Sequence, residues 1–138
     1  MTNTERIRRI TTIVAQEYDI TPEVLTGRSR LRNIVTPRQT IWTITRDLFG
    51  QRVPLAEIGC YFSHRTHATV LKGVEQVRNQ QEVDKVFAAK YDELLRRCRN
   101  QFRELEASKS TRVRLSELLR IESVEEIHTE LLIIIETL

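Results

Sequence analysis

The scarcity of glycine and proline is the strongest constraint on how this chain folds. Its 138 residues include four glycines and three prolines. A β architecture needs many tight turns, and these two residue types supply the backbone angles of most turns. Apolar residues also recur at three- and four-residue spacing over long stretches, notably residues 83–105. The sequence therefore predicts an all-α fold.

Two helices are expected before position 30. Thr4 is positioned to cap a helix over residues 4–18. Thr21 followed by Pro22 opens a short second helix, which Gly27 ends. Residues 27–33 are rich in arginine and show no periodicity, so we expect a loop there.

A third helix is predicted to begin at Thr36, which would cap it with Pro37 in the first helical position. Gln39 occupies the reciprocal position of a capping box. Gly50 closes the helix. Its inward stripe consists of Ile41, Ile44 and Leu48, with Trp42 beside them.

The next two helices have the spacing of a helix-turn-helix. Pro54 opens a short helix that runs to Phe62, and polar residues follow it as far as Thr66, where a longer helix starts. The apolar side of this longer helix is expected to hold Val70, Leu71, Val74 and Val77. Two helices joined by about four residues match the helix-turn-helix plan. A generic helical hairpin within a bundle fits the same pattern, so the pattern alone leaves both interpretations open.

The pattern changes beyond residue 80, and we divide the chain into domains at residues 1–80 and 81–138. A helix of about 25 residues is predicted from one apolar face formed by Val83, Phe87, Tyr91, Leu94, Cys98, Phe102 and Leu105. Ser108 to Thr111 is a polar break. A short helix over 113–120 and a last one from Ser123 should follow.

Charge is distributed unevenly along the chain. Residues 1–80 hold twelve Lys or Arg against seven Asp or Glu, whereas residues 81–138 hold ten against twelve. A basic first half predicts a polyanionic partner, and the acidic second half should avoid that same surface.

Catalytic, metal-binding and membrane motifs are missing from the sequence. There is no glycine-rich phosphate loop and no nucleophile elbow, and Cys60, His64 and His67 lack a fourth metal ligand. The aliphatic run Leu131–Ile135 is too short to span a bilayer, and the polar start at Thr2–Arg9 does not resemble a signal peptide. We therefore expect a cytoplasmic protein that is not an enzyme. We expect no cofactor, metal, small-molecule substrate or membrane partner.

One stretch resembles a known family. Residues 58–73 read Ile-Gly-Cys-Tyr-Phe-Ser-His-Arg-Thr-His-Ala-Thr-Val-Leu-Lys-Gly. This is similar to the signature of the DNA-binding domain of DnaA, the bacterial replication initiator: Ile-Gly, two variable residues, then Phe-Gly-Gly-Arg-Asp-His-Thr-Thr-Val. Residues 30–32 and 37–39 resemble that family's basic loop and its Pro-Arg-Gln helix start, in the same order over residues 5–80. The initiator's ATPase module has no counterpart, so a stand-alone domain is expected.

The resemblance implies a fold and a partner. The fold would be all-α, similar to the DnaA C-terminal domain and the Trp repressor class, with a C-terminal helical extension. The function would be sequence-preferring binding of double-stranded DNA, in transcription or replication control. Gly59 would allow close approach at the turn, Thr66 would cap the second helix, and Arg30 would enter the minor groove. The predicted DNA-binding residues are Arg28, Arg30, Arg32, Arg38, Gln39, Arg65, Thr66, His67, Ala68, Thr69 and Lys72.

The sequence also departs from the family pattern. The family's aspartate is Thr66, its following threonine is Ala68, and its Gly-Gly pair is Ser63-His64. Base readout should therefore differ from that of the initiator. A protein-interaction adaptor that keeps the fold without specific DNA readout is the alternative.

Residues 83–138 are predicted to form a homodimer. Residues 131–135 are apolar around the whole circumference of a helix, so one packed face cannot cover them. Folding of the tail back over the helix at residues 83–105, or a β-strand over residues 130–136, would also cover them.

Overall fold

The computed structural model describes the backbone of residues 1–121 and the side chains of residues 1–108. Within that part of the chain every regular element is helical, which confirms the predicted all-α class. The elements are α1 (Asn3–Tyr18), α2 (Pro22–Thr26), α3 (Arg32–Phe49), a single 3-10 turn (Gly50–Arg52), α4 (Leu55–Tyr61), α5 (His67–Val83) and α6 (Lys85–Ile121). In this same part, no helix is both long enough and apolar enough to cross a membrane.

The chain divides into two compact units, Met1–Arg99 and Asn100–Leu138. This boundary separates compact units, and the predicted division into a DNA-binding domain and a helical extension at residue 80 stays a prediction. The core of the first unit takes side chains from all six helices. Its largest fully buried members are Tyr91, Phe62, Ile7, Ile10, Leu25, Ile41, Ile44, Ile58, Leu94, Val14, Val53 and Val70. In the second unit, the described residues 100–121 are helical.

The first helix is capped two residues earlier than the sequence suggested. The Thr2 hydroxyl accepts from the backbone N–H of Glu5 at 3.1 Å, so Thr2 is the cap and Thr4 lies inside α1. Asp19 ends α1 in the left-handed conformation, with φ of 53°. Pro22 and Gly27 bound α2 as predicted, although the Thr21 side chain makes no capping hydrogen bond.

The third helix begins at Arg32, and the predicted start at Thr36 is wrong. Leu31 is the cap residue, and its carbonyl accepts from the backbone N–H of Ile34 and of Val35. Pro37 therefore lies inside α3, where its missing N–H leaves one carbonyl of the preceding turn without its helical partner. The inward stripe explains the earlier start, because Ile34, Pro37 and Ile41 are all buried at helical spacing.

Gln39 does not complete a capping box at the start of α3. Its side-chain amide donates to the side chain of Gln76 on α5. Gly50 ends α3 with φ of 54°, as predicted.

The pair α4 and α5 has the predicted helix-turn-helix arrangement. Gly59 is required at the turn, because a Cβ there would lie 2.0 Å from the carbonyl oxygen of Arg65. The Arg65 backbone N–H also donates to the Gly59 carbonyl at 2.8 Å. A second close approach joins α3 to α5, where a Cβ on Gly73 would lie 2.5 Å from the Trp42 ring. The prediction for α5 is wrong at Leu71, which is 45% exposed.

The sixth helix is longer than predicted and starts later. Val83 is 85% exposed and ends α5, and the Asp84 carboxylate accepts from the backbone N–H groups of Val86 and Phe87 in the first turn of α6. The predicted polar break at 108–111 and separate helix at 113–120 are wrong, since α6 runs unbroken to Ile121. That stretch contains neither glycine nor proline, so nothing interrupts the hydrogen-bond ladder. The helix predicted from Ser123 lies outside the described residues.

The start of α6 belongs to the first unit. Phe87, Tyr91, Leu94 and Cys98 repeat at helical spacing and are all buried, as the sequence predicted. The Tyr91 hydroxyl donates to the carboxylate of Asp47 on α3, which Arg78 of α5 also contacts through two nitrogens. Burial raises the pKa of the Cys98 thiol to about 12.

Candidate nucleic-acid interface

A cleft of about 580 Å³ lies between α3, the loop before it and the first turns of α5. We call it the basic groove. Five cationic side chains line it, namely Arg28, Arg30, Arg38, Arg65 and Lys72, and no aspartate or glutamate is among its lining residues. An anion entering this groove would meet positive charge that no carboxylate offsets.

Most of the predicted DNA-binding residues converge on the basic groove. The predicted residues that line it are Arg28, Arg30, Arg38, Gln39, Arg65, Thr66, Thr69 and Lys72. Arg32 lies outside it, as the first residue of α3, and is exposed. His67 and Ala68 open α5 and are also exposed, although neither lines the groove.

The loop and the helix-turn-helix turn are joined by a set of hydrogen bonds that we call the carbonyl latch. Arg28 donates to the Ser63 carbonyl at 2.8 Å, and the Ser63 hydroxyl donates to the Thr26 carbonyl. Arg65 donates to the Gly27 carbonyl at 2.9 Å and to the Phe62 carbonyl. Apart from the local Arg65–Phe62 bond, these bonds connect segments 35 to 38 residues apart in sequence, so they set the distance between the arginine loop and the start of α5.

Arg38 is the buried member of the groove. Its side chain is 2% exposed, with Nε donating to the Leu25 carbonyl at 2.7 Å and Nη1 to the Ser29 carbonyl at 2.8 Å. Its remaining nitrogen, Nη2, is buried and has no partner among the described residues. Burial, and secondarily the charge of Arg65, lowers the pKa of Arg38 to about 10, so the group stays charged at neutral pH. Arg38 therefore carries its charge into the groove while it holds the loop in place.

Arg30 and Lys72 differ from the latch arginines. Both are exposed, and neither makes a hydrogen bond or ion pair to another residue in the part of the chain the structure describes. Their charged ends are available to an incoming ligand without breaking any internal contact.

The start of α5 is capped as predicted. The Thr66 hydroxyl accepts from the Thr69 backbone N–H at 3.3 Å and shares a hydrogen bond with the Thr69 hydroxyl at 3.0 Å. Both hydroxyls thus stabilise the first turn of the helix. The positive end of the helix dipole adds to the basic character of this end of the groove.

Sequence reasoning missed several residues of the groove. His64, Ser29, Val35, Trp42, Gly73 and Gln76 line it as well. The signal for His64 was present, because Ser63-His64 replaces a Gly-Gly pair of the family pattern. A departure from a family pattern does not by itself show that the new side chain lines the groove. The positions of Trp42 and Gln76 depend on how α3 crosses α5, which no local pattern shows.

Two helices closed by a tight turn, with a basic groove beside the start of the second, define a helix-turn-helix protein. Comparison with known families shows which group of helix-turn-helix proteins the chain resembles. Residues 7–77 match the bacterial dnaA protein helix-turn-helix. The match covers just over half of the chain, and the chain belongs to that family.

Individual relatives agree with this assignment. The chromosomal replication initiator protein DnaA of Thermus thermophilus is 39% identical over 72 residues, which are 52% of this chain and 16% of that protein. The protein of the same name from Neisseria meningitidis is 37% identical over 82 residues, 59% of this chain and 15% of the relative. The one from Acinetobacter baumannii is 34% identical over 90 residues, 65% of this chain and 19% of the relative. The chain thus spans less than a fifth of the length of these relatives.

Proposed function

We propose that this protein binds double-stranded DNA through the basic groove and the start of α5. The observation that carries the proposal is the set of five cationic side chains with no carboxylate among the groove's lining residues. Phosphate contacts supply most of the affinity of proteins for DNA, and arginine and lysine are the residues that make them. Membership of the helix-turn-helix family supports the same partner.

The carbonyl latch suggests how the protein would sit on the duplex. In helix-turn-helix proteins the N-terminal end of the second helix contacts base edges in the major groove. Here that end carries the exposed residues His67 and Ala68. Arg30 is exposed on the neighbouring loop and would enter the adjacent minor groove, where negative potential attracts arginine. The latch would hold these two reading elements at a fixed separation before DNA arrives.

Sequence preference would rest on few side chains. Thr66 and Thr69 already bond to each other at the helix start, so their hydroxyls are partly occupied. Ala68 can offer only a methyl contact. We infer that His67 and Arg30 carry most of the discrimination between sequences, and that the preferred site differs from the one the family signature implies.

The process served would be transcription or replication control. The relatives are named as chromosomal replication initiators, and this chain matches a small part of each. Selection of bound fragments from a genomic library would identify the sites and the genes next to them. If the protein binds no DNA at low salt, the adaptor function replaces this proposal.

Fluorescence anisotropy with a duplex of about 20 base pairs tests the proposal. Five to eight phosphate contacts give a slope of roughly −5 to −7 for log affinity against log salt, at about −0.9 per contact. Titrations with random and with selected duplexes then separate the sequence-independent affinity for DNA from the sequence preference. A slope near zero would contradict binding through the groove.

We also propose that the C-terminal part of the chain forms a homodimer. The start of α6 is used within the first unit, where Phe87, Tyr91 and Leu94 are buried. The proposal therefore depends on the apolar run at 131–135, which lies outside the described residues. Two copies would bring two recognition helices to paired half-sites about one helical turn apart. Light scattering at micromolar concentration checks it: a mass near 16 kDa for the full chain, which deletion of residues 109–138 lowers only by the mass of those residues, would contradict a dimer.

A further inference from the structure

The helix-turn-helix turn contains two successive residues in the left-handed region. Ser63 has φ of 61° and His64 has φ of 55°. A side chain raises the energy of this conformation, and glycine adopts it without that strain. The backbone of the turn therefore favours glycine at both positions. Backbone conformation thus does not explain why position 64 is a histidine.

The two side chains of this pair have different surroundings. The Ser63 hydroxyl donates to the Thr26 carbonyl, so that side chain serves the carbonyl latch. His64 is exposed, lines the basic groove and makes no hydrogen bond to any described residue. Its neighbours in the groove include Arg28, Arg30 and Arg65. The imidazole therefore lies at a cationic surface, and no hydrogen bond within the described residues explains why a histidine is placed there.

We propose that His64 is an additional contact to a DNA backbone phosphate, a proposal that rests on the proposed DNA-binding function. Imidazole carries an N–H donor in both neutral tautomers and in the charged form, and phosphate oxygens are strong acceptors. The residue lies in the turn, before the cap of α5, whereas the base-reading positions of such helices lie in their first turns. The contact is therefore independent of DNA sequence. Strain in the turn is retained because the side chain binds the ligand.

Three variants of the full chain test this proposal. His64→Gly relieves the strain and removes the imidazole, so the melting temperature rises by about 4 °C. Affinity for duplex DNA falls about fivefold to tenfold, by the same factor on several unrelated sequences. His64→Arg restores or exceeds the original affinity and steepens the salt slope by about 0.9.

Asp19→Gly is the matched control. Asp19 is another non-glycine residue in the left-handed region, at the end of α1 and outside the basic groove. The variant also relieves strain, yet it removes a negative charge and so does not weaken DNA binding. It separates the effect of strain relief from the effect of the missing imidazole.

The possible outcomes distinguish the proposed role of His64 from the proposed DNA-binding function. DNA binding by the original protein, together with an unchanged affinity for His64→Gly, overturns the role of His64 and leaves the proposed function standing. A loss confined to one DNA sequence also overturns it, because a phosphate contact acts on all sequences. Failure of the original protein to bind any duplex at low salt overturns both proposals.

Discussion

The arginines of the basic groove and those around the start of α6 have different partners. Near α6, Arg78 contacts the Asp47 carboxylate, and Nη1 of Arg97 lies 3.0 Å from Oε2 of Glu17. Each of these arginines is therefore paired with a carboxylate. In the groove, Arg28, Arg38 and Arg65 donate to backbone carbonyls. A carbonyl satisfies a donor without cancelling its charge. This difference explains how the arginines of the basic groove can be held in fixed positions and still attract a polyanion.

This difference has an energetic consequence. Burying a charge without a counter-charge is unfavourable, and Arg38 is 2% exposed with no carboxylate beside it. Its hydrogen bonds to two carbonyls offset part of that cost. Asp47 and Arg78 leave no such uncompensated charge, because the carboxylate and the guanidinium pair with each other. We therefore expect changes in the groove to weaken DNA binding, whereas changes to the α6 contacts should lower stability without affecting DNA binding.

The largest expected effect concerns the α6 contacts. A chain ending at residue 80 lacks the buried side chains of Phe87, Tyr91, Leu94 and Cys98, and burial of one phenylalanine or leucine side chain contributes about 1.5–3 kcal/mol. The sum is comparable to the whole stability of a small domain, so we expect residues 1–80 to be largely unfolded. Circular dichroism melting compares this fragment with residues 1–99, which should unfold cooperatively. Equal melting temperatures for the two would show that α6 adds nothing to the domain.

Arg38→Ala tests whether the arginine loop depends on a buried arginine. The change leaves the carbonyls of Leu25 and Ser29 without their partner and opens a cavity, so we expect a loss of about 2–4 kcal/mol in unfolding free energy. DNA affinity should weaken on all sequences alike. Urea unfolding and anisotropy measure the two effects. The matched variant Arg38→Lys keeps the charge and loses the fork that spans two carbonyls, so it should rescue little. Full rescue by lysine would mean that charge alone matters.

Asp47→Asn tests the contacts around the start of α6. We expect it to lower the free energy of unfolding by about 1–3 kcal/mol and to leave DNA affinity unchanged. Burial raises the pKa of Asp47, but the hydrogen bonds from Arg78 and Tyr91 together with the charges of Arg78 and Arg99 outweigh it, so the net pKa is lowered. A lowered pKa in the folded state means that the carboxylate stabilises the fold above the ordinary aspartate pKa of about 4. That contribution is lost as the pH falls through the lowered value. Urea unfolding at pH 6 and pH 2.5 should show the two proteins converging in acid, whereas a constant difference would contradict this.

Local signals together with the resemblance to the DnaA family predicted the helix-turn-helix, but they did not predict the latch. Thr66 and Gly59 have roles set by the residues next to them in the turn, so pattern reasoning identified both. Pro37 was misleading as a start signal, because buried neighbours such as Ile34 favour an earlier start even though the proline leaves one helix carbonyl without its partner. The Arg28 and Arg65 bonds join segments more than 30 residues apart, which no local pattern shows.

The same limit applies to the DNA-binding residues. The sequence placed Arg28, Arg30, Arg38 and Arg65 in one set, since all four are basic and in register with the family pattern. Only the tertiary structure separates Arg30, which is exposed and makes no contact with a described residue, from the three that bond to carbonyls. Their part in DNA binding stays a prediction.

One measurement tests most directly whether uncompensated charge in the groove binds DNA. Two double variants each remove two positive charges: Arg30→Gln with Lys72→Gln in the groove, and Arg96→Gln with Arg97→Gln on α6, where both arginines have carboxylate partners. The salt dependence of duplex affinity is then compared by anisotropy. We predict that the groove variant flattens the log–log slope by about 1.8, at about 0.9 per phosphate contact, while the α6 variant leaves it unchanged. Equal slopes for the two variants would contradict the account, because net charge alone would then explain binding.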